Sequence, residues 1–116
     1  FLDFKNHFNP EVYKAQEILS AKLSSGFTID DLGKEMNMSP RQLSRLFKHH
    51  TGSTIQDYRD RVRITLGEQL LKYSEKSIKE IAIECGFENS RQFIRIWKKY
   101  HGVTPSHFRV SPIQQE

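Results

Sequence analysis

Arg41-Gln42-Leu43-Ser44-Arg45-Leu46-Phe47-Lys48 returns fifty residues later as Arg91-Gln92-Phe93-Ile94-Arg95-Ile96-Trp97-Lys98. At 3.6 residues per turn, Arg41, Arg45 and Lys48 fall on one face of a helix while Leu43, Leu46 and Phe47 fall on the other, and the second copy partitions in the same way. The chain carries two copies of one amphipathic helix, each with a dry side and a cationic side.

Working outward, Gly52, Thr54 and Arg59 recur as Gly102, Thr104 and Arg109 at the same offset of fifty, and Tyr58 is answered by Phe108. Upstream, Thr28-Ile29-Asp30-Asp31-Leu32 pairs with Ser77-Ile78-Lys79-Glu80-Ile81 at an offset of forty-nine. A one-residue length difference therefore belongs to the turn before the repeated helix, where such differences are readily absorbed. Two copies are too few for a solenoid, which needs roughly three or more, so the pattern is that of a duplicated supersecondary unit.

N-cap residues, acidic third positions and first-turn prolines mark the helices. Asn9-Pro10-Glu11 opens a first helix with the stripe Val12, Ala15, Ile18, Leu19 and Leu23, closed near Gly26. Thr28 with Asp31 boxes a short helix to about Met36, Asn37 sits where a left-handed turn residue is wanted, and Ser39-Pro40 caps a third helix to about His50. Short helix, tight turn, basic helix is a helix-turn-helix pattern. Thr54 with Asp57 opens a longer helix that ends before Ser77. Ser77 with Glu80 caps a fifth, Gly86 makes the turn, Asn89 caps a sixth to Tyr100, and Thr104-Pro105 starts a last turn. No strand-like alternation competes, so an all-α chain is expected. Its parts are a first helix-turn-helix subdomain over 10–53, a connecting helix over 54–73, a second subdomain over 74–109 and a flexible tail over 110–116.

The 116 residues make one small domain or two very small ones, which excludes a large enzyme. No apolar run approaches the roughly 18 residues that span a bilayer, and the amino end has no signal-peptide pattern, so a soluble, cytoplasmic protein without a membrane partner is expected. The single cysteine, Cys85, rules out an internal disulfide framework. The chain opens on Phe1, as expected of a segment of something longer. Net charge is +4, and its distribution matters more than its size. Residues 39–64 and 88–109 each carry +4, while every other stretch is net negative. Clustered cationic stripes are the electrostatic footprint of a polyanion binder.

The second copy resembles the DNA-binding region of the AraC/XylS transcription regulators through Ile78, Ile81-Ala82, Gly86-Phe87, Phe93, Arg95, Lys98, Gly102, Thr104-Pro105 and Phe108-Arg109. The first copy, followed by Arg63-Ile64 and Leu70-Leu71, resembles the same family's less regular amino-terminal unit, so the resemblance covers residues 10–109. Gly33 and Gly67 stand where the family usually has alanine, Asn37 where it has a turn glycine, and Trp97 where it has phenylalanine. The resemblance implies seven helices, with two homeodomain-like helix-turn-helix subdomains joined by the long connecting helix. It also implies a recognition helix from each subdomain in successive major grooves of one duplex.

By that resemblance, base-reading positions fall on Arg41, Ser44 and Arg45 with Gln42 close by, and on Ser90, Arg91, Ile94 and Arg95 with Gln92 adjacent. An arginine fork can bond O6 and N7 of guanine together. One isolated arginine on a helix is more often a solvated residue, and it is the recurrence of the face that favours reading. Ile94 either contacts a thymine methyl or packs inward or against the neighbouring unit. Arg45 and Arg95 could instead pair with a carboxylate such as Glu35 or Glu84. Lys48, Thr54, Lys98 and Lys99 are expected at phosphates, together with the amides that start the recognition helices. Arg59, Arg61, Arg63 and Arg109 join them or pair with Asp57 and Asp60.

Most of Phe47, Trp97, Tyr58, Phe87, Phe93 and Phe108 fall on the dry side, which favours core over stacking platforms for single strands. The histidines at positions 7, 49, 50, 101 and 107 lack a paired metal spacing, so no metal or other cofactor is expected. Cys85 lies among apolar positions as a small hydrophobe. No nucleophile, base and orienting group can be assembled, and no enzyme is expected.

The function expected is sequence-specific binding of double-stranded DNA by a bacterial transcription regulator, an activator, at an asymmetric site of about two helical turns. RNA polymerase is a second candidate partner, and an effector or dimerisation domain is expected outside this segment. The rival reading is a helical protein-interaction module whose basic faces dock an acidic partner.

Overall fold

The computed structural model describes residues 9–110. Among them run seven helices and no strand: α1 (Pro10–Ala21), α2 (Ile29–Met36), α3 (Pro40–Thr51), α4 (Ile55–Tyr73), α5 (Ile78–Cys85), α6 (Ser90–His101) and α7 (Pro105–Val110). His7 and the tail from residue 111 lie outside the described residues. Two compact units divide between Val62 and Arg63, inside α4.

The caps are those the sequence marks. Asn9 accepts from the Glu11 and Val12 amides. Thr28 with Asp31, Ser39 with Gln42 and Ser77 with Glu80 form reciprocal boxes, and Asn89 accepts from the Gln92 amide. Bonds from the Thr28 backbone and hydroxyl hold the Asp31 carboxyl below its ordinary value, and Ser77 does the same to Glu80. Both boxes therefore add stability above the usual carboxylate range, and that stability is lost as pH falls through the depressed values. The helices stop on left-handed residues: Asn37 at φ 55°, Gly52 at 76°, Gly86 at 99° and Gly102 at 75°. α1 ends at Ala21, several residues before Gly26, because Lys22 already leaves helical geometry.

Each unit has its own core. In the first, Val12, Ala15, Leu19, Leu32, Leu43, Phe47, Ile55 and Tyr58 cluster. In the second, Ile64, Leu71, Ile81, Ala82, Cys85, Phe87, Phe93, Ile96, Trp97 and Phe108 cluster. The duplication proves wider than the helix-turn-helix: residues 62–73 of α4 match α1 at an offset of 52, so that buried Val12, Ala15 and Leu19 correspond to buried Ile64, Gly67 and Leu71. The start of α4 likewise corresponds to α7 at an offset of fifty. One helix closes the first unit and opens the second.

Two glycines now have a reason. A Cβ on Gly67 would sit 3.3 Å from Phe93, whose ring occupies the place held by the smaller Leu43 in the first unit, where Ala15 is tolerated. At Gly33, the counterpart of Ala82, a Cβ would lie 2.6 Å from the Met38 carbonyl oxygen. The turn there spans residues 37–39, one residue fewer than 86–89, and it brings backbone against α2. Gly33→Ala should therefore destabilise the first unit by about 1–3 kcal/mol as an overpacking change, despite the roughly 1 kcal/mol that alanine otherwise adds inside a helix. Urea unfolding followed by helical circular dichroism measures this, and a variant as stable as the parent would show that the turn has room.

Candidate nucleic-acid interface

The apolar faces of α3 and α6 are fully used. Leu43, Phe47, Phe93 and Trp97 have no exposure, and Ile96 has 7%. What remains outward is the cationic side. Arg41, Gln42, Ser44, Arg45 and Lys48 are exposed on α3, as are Arg91, Arg95, Lys98 and Lys99 on α6, while Ser90, Gln92 and Ile94 are half-buried.

In the first unit a shallow concavity of about 550 Å³ is lined by Ser44, Arg45 and Lys48 from α3 and by Thr54, Ile55 and Gln56 at the start of α4, with Ile29 and His49 completing it. The second unit has a counterpart of about 540 Å³ between Ser90, Arg91, Ile94, Arg95 and Lys98. The equivalent trios Ser44-Arg45-Lys48 and Ile94-Arg95-Lys98 thus meet in matching places, an apolar contact replacing a hydroxyl. Arg41 and Gln42 lie outside the first concavity, and Gln92 and Lys99 outside the second. Lys99 Nζ instead stands 6.0 Å from the Tyr100 ring. His49 and Gln56 were not singled out as interface residues by the helix pattern. The equivalence of His49 with Lys99 is the signal that marks the first of them.

The two glutamines have capping duties. Gln42 Oε1 accepts from the Ser39 amide and hydroxyl, each at 3.2 Å, and Gln92 Oε1 accepts from the Glu88 amide at 2.8 Å.

The carboxylates that could have quenched the arginines are engaged elsewhere: Glu35 pairs with Lys22, and Glu84 lies 3.4 Å from Lys76. Among the described residues Arg41, Arg45, Arg91 and Arg95 form no ion pair. Three other arginines turn inward. Arg59, 5% exposed, donates to the Ser24 and Phe27 carbonyls. Arg63, 4% exposed, stands 5.6 Å from the Phe87 ring. Arg109 donates to the carbonyls of Leu70, Leu71, Ser74 and Lys76 at 2.6–3.3 Å. Arg61 is exposed. The outward charge is narrower than the sequence count and is concentrated on α3 and α6.

The family model described as a helix-turn-helix domain matches residues 32–111. The C-terminal domain of the response regulator yesN from Fusobacterium nucleatum is 34% identical, with a TM-score of 0.80 over 84% of this chain and 95% of that one. A transcriptional regulator from Chromobacterium violaceum, described as containing an AraC-type DNA-binding domain, is 29% identical, with a TM-score of 0.77 over 89% of this chain and 95% of its own. The chain belongs to the AraC-type helix-turn-helix family. It is a DNA-binding domain of the kind transcription regulators carry. The HTH-type transcriptional activator RhaR of Escherichia coli K12 is 38% identical over 91 residues, which are 78% of this chain and 32% of that protein. The chain spans about a third of that activator's length.

In this AraC-type domain the aromatic residues serve the cores. Trp97 stacks on His101 at 4.0 Å and meets Phe108 edge-on at 5.0 Å, while His101 Nε2 lies 2.9 Å from Glu68. Among the described residues no group of His, Cys, Asp and Glu could hold a metal ion, and no helix is long and apolar enough to cross a membrane. Cys85 has no exposure, and its thiol is pushed up to about 12, first by burial and then by Glu84, against a smaller opposing effect of Arg63. Cys85 should therefore resist alkylation by iodoacetamide near neutral pH in the folded chain and react once the second unit is opened by urea. Reaction at the rate of a free thiol without denaturant would contradict that burial.

Proposed function

We propose that α3 and α6 each lie in a major groove of one DNA duplex, in successive turns, and that the chain reads an asymmetric site of about two helical turns. Arg41, Ser44 and Arg45 with Gln42, and Ser90, Arg91, Ile94 and Arg95 with Gln92, read base edges. Lys48, Thr54, Lys98 and Lys99 hold phosphates. The observation that carries this reading is the duplicated face of outward arginines, present on both copies of one helix and uncompensated by carboxylates among the described residues. A solvated surface gives no reason for the same charges to recur at the same turn of both units.

The subdomains are proposed over 10–53 and 74–109, with 54–73 connecting them. The chain works without catalysis or cofactor, in the cytoplasm, as the DNA-reading part of an activator. Its effector or dimerisation domain belongs to a longer protein, and RNA polymerase is its further partner.

Selection from randomised duplex tests the proposal. A strong asymmetric consensus is expected, whereas equal retention of all sequences favours docking to an acidic protein. Arg41→Ala and Arg91→Ala should each lose about 1–3 kcal/mol of discrimination at one or two base pairs. Lys98→Ala should weaken binding to every sequence and reduce the salt slope by about one unit. If both arginine variants keep the parent's preferences at every position, the reading faces are misassigned.

A further inference from the structure

The first concavity holds a side chain outside the reading and phosphate sets. His49 is exposed on α3 and lines that surface beside Arg45, Lys48 and Thr54. The rest of the lining is Ile29 from α2, Ser44 from α3, and Ile55 and Gln56 from α4, so no carboxylate faces the imidazole across the concavity.

His50 packs edge-on against the His49 ring at 4.9 Å. Its role is fixed by α1. The Asn9 side-chain oxygen accepts from the Glu11 and Val12 amides, which leaves Asn9 Nδ2 as donor to His50 Nε2 at 3.3 Å. His50 is an acceptor there and is tied to the fold, whereas His49 forms no hydrogen bond among the described residues. At the offset of fifty the counterpart of His49 is Lys99, a permanent cation. The two units carry a titratable cation and a fixed one at the same point of their recognition helices.

We infer that His49 is a further phosphate-binding residue, and that it makes one DNA contact of the first unit conditional on proton uptake. This rests on the reading of α3 as a DNA-facing helix. An imidazole carries a charge only when protonated, and a phosphate brought against it favours the charged form. Only the charged form neutralises the phosphate and releases a counterion. Protonated, His49 adds that contact; neutral, it does not, while the lysine contacts of the second unit persist.

The test is binding of a random-sequence duplex of about twenty base pairs, long enough for two turns, across a salt series at pH about 5.5 and about 8, on either side of an imidazole's range. For the unaltered chain the slope of log affinity against log salt should be steeper by about 0.9 at the lower pH. His49→Ala should lose that increment, and His49→Lys should carry it at both pH values. His50 is retained in both variants, so any effect of its own titration stays in the comparison, and circular dichroism confirms that each variant is folded. A pH-independent slope in the unaltered chain, or a pH-dependent change as large in His49→Ala as in the unaltered chain, overturns the role of His49 without touching DNA reading. Lys48→Ala separates the two ideas: it should lower the slope by about one unit at both pH values. No change in that variant removes the DNA-facing assignment of α3 itself.

Discussion

Burial of one side of α3 and α6 decides what the other side can do. Covering a large apolar side chain is worth about 1.5–3 kcal/mol, whereas an exposed ion pair contributes about 1 kcal/mol or less. With Leu43 and Phe47 inserted in one core and Phe93, Ile96 and Trp97 in the other, the rotation of each helix is set by packing. The arginines then stand wherever 3.6 residues per turn leaves them. They do not aim themselves.

A second device supports each core. The helix that opens each unit, α1 or the later part of α4, ends in carbonyls that no further helical turn can satisfy. Arg59 and Arg109 reach back from equivalent positions and donate to carbonyls that follow those ends, Ser24 and Lys76 being counterparts at the offset of 52. A planar fork with five donors can serve several carbonyls at once, as a lysine could not. Fold and duplication are joined here: the unit that repeats is a four-helix structure with an arginine fastener, and α4 belongs to both copies.

Much of this was legible beforehand, because the signals were local. Thr28 with Asp31, Ser39-Pro40 and Ser77 with Glu80 mark helix starts through chemistry contained in a few residues. Asn37, Gly52, Gly86 and Gly102 mark helix ends through a conformation that few residues tolerate. The dry face of α3 followed from periodicity alone. What escaped depended on partners distant in sequence. Nothing near Arg59 or Arg109 reveals that carbonyls some 32 to 39 residues away will claim them, so the sequence leaves both open between phosphate contact and pairing with Asp57 and Asp60. Gly33 looked like a weakness in a helix until the Met38 carbonyl was placed against it. The cationic sets on α3 and α6 emerged outward as the pattern required, but the contribution of His49 to the first concavity depends on the start of α4 folding back beside it.

The capping role of the glutamines carries over to what they can say to a base. With Gln42 Oε1 occupied by two donors from Ser39 and Gln92 Oε1 by the Glu88 amide, each side chain has its NH2 group left to offer. The two-point grip of a glutamine on adenine needs an acceptor and a donor together. While these helix starts stay intact, Gln42 can address a groove as a donor alone, toward N7 or a carbonyl oxygen, whereas Gln92 Oε1, with one bond made, keeps a second lone pair to accept with. Changing the preference of Gln42 would mean loosening the first turn of the helix that presents it.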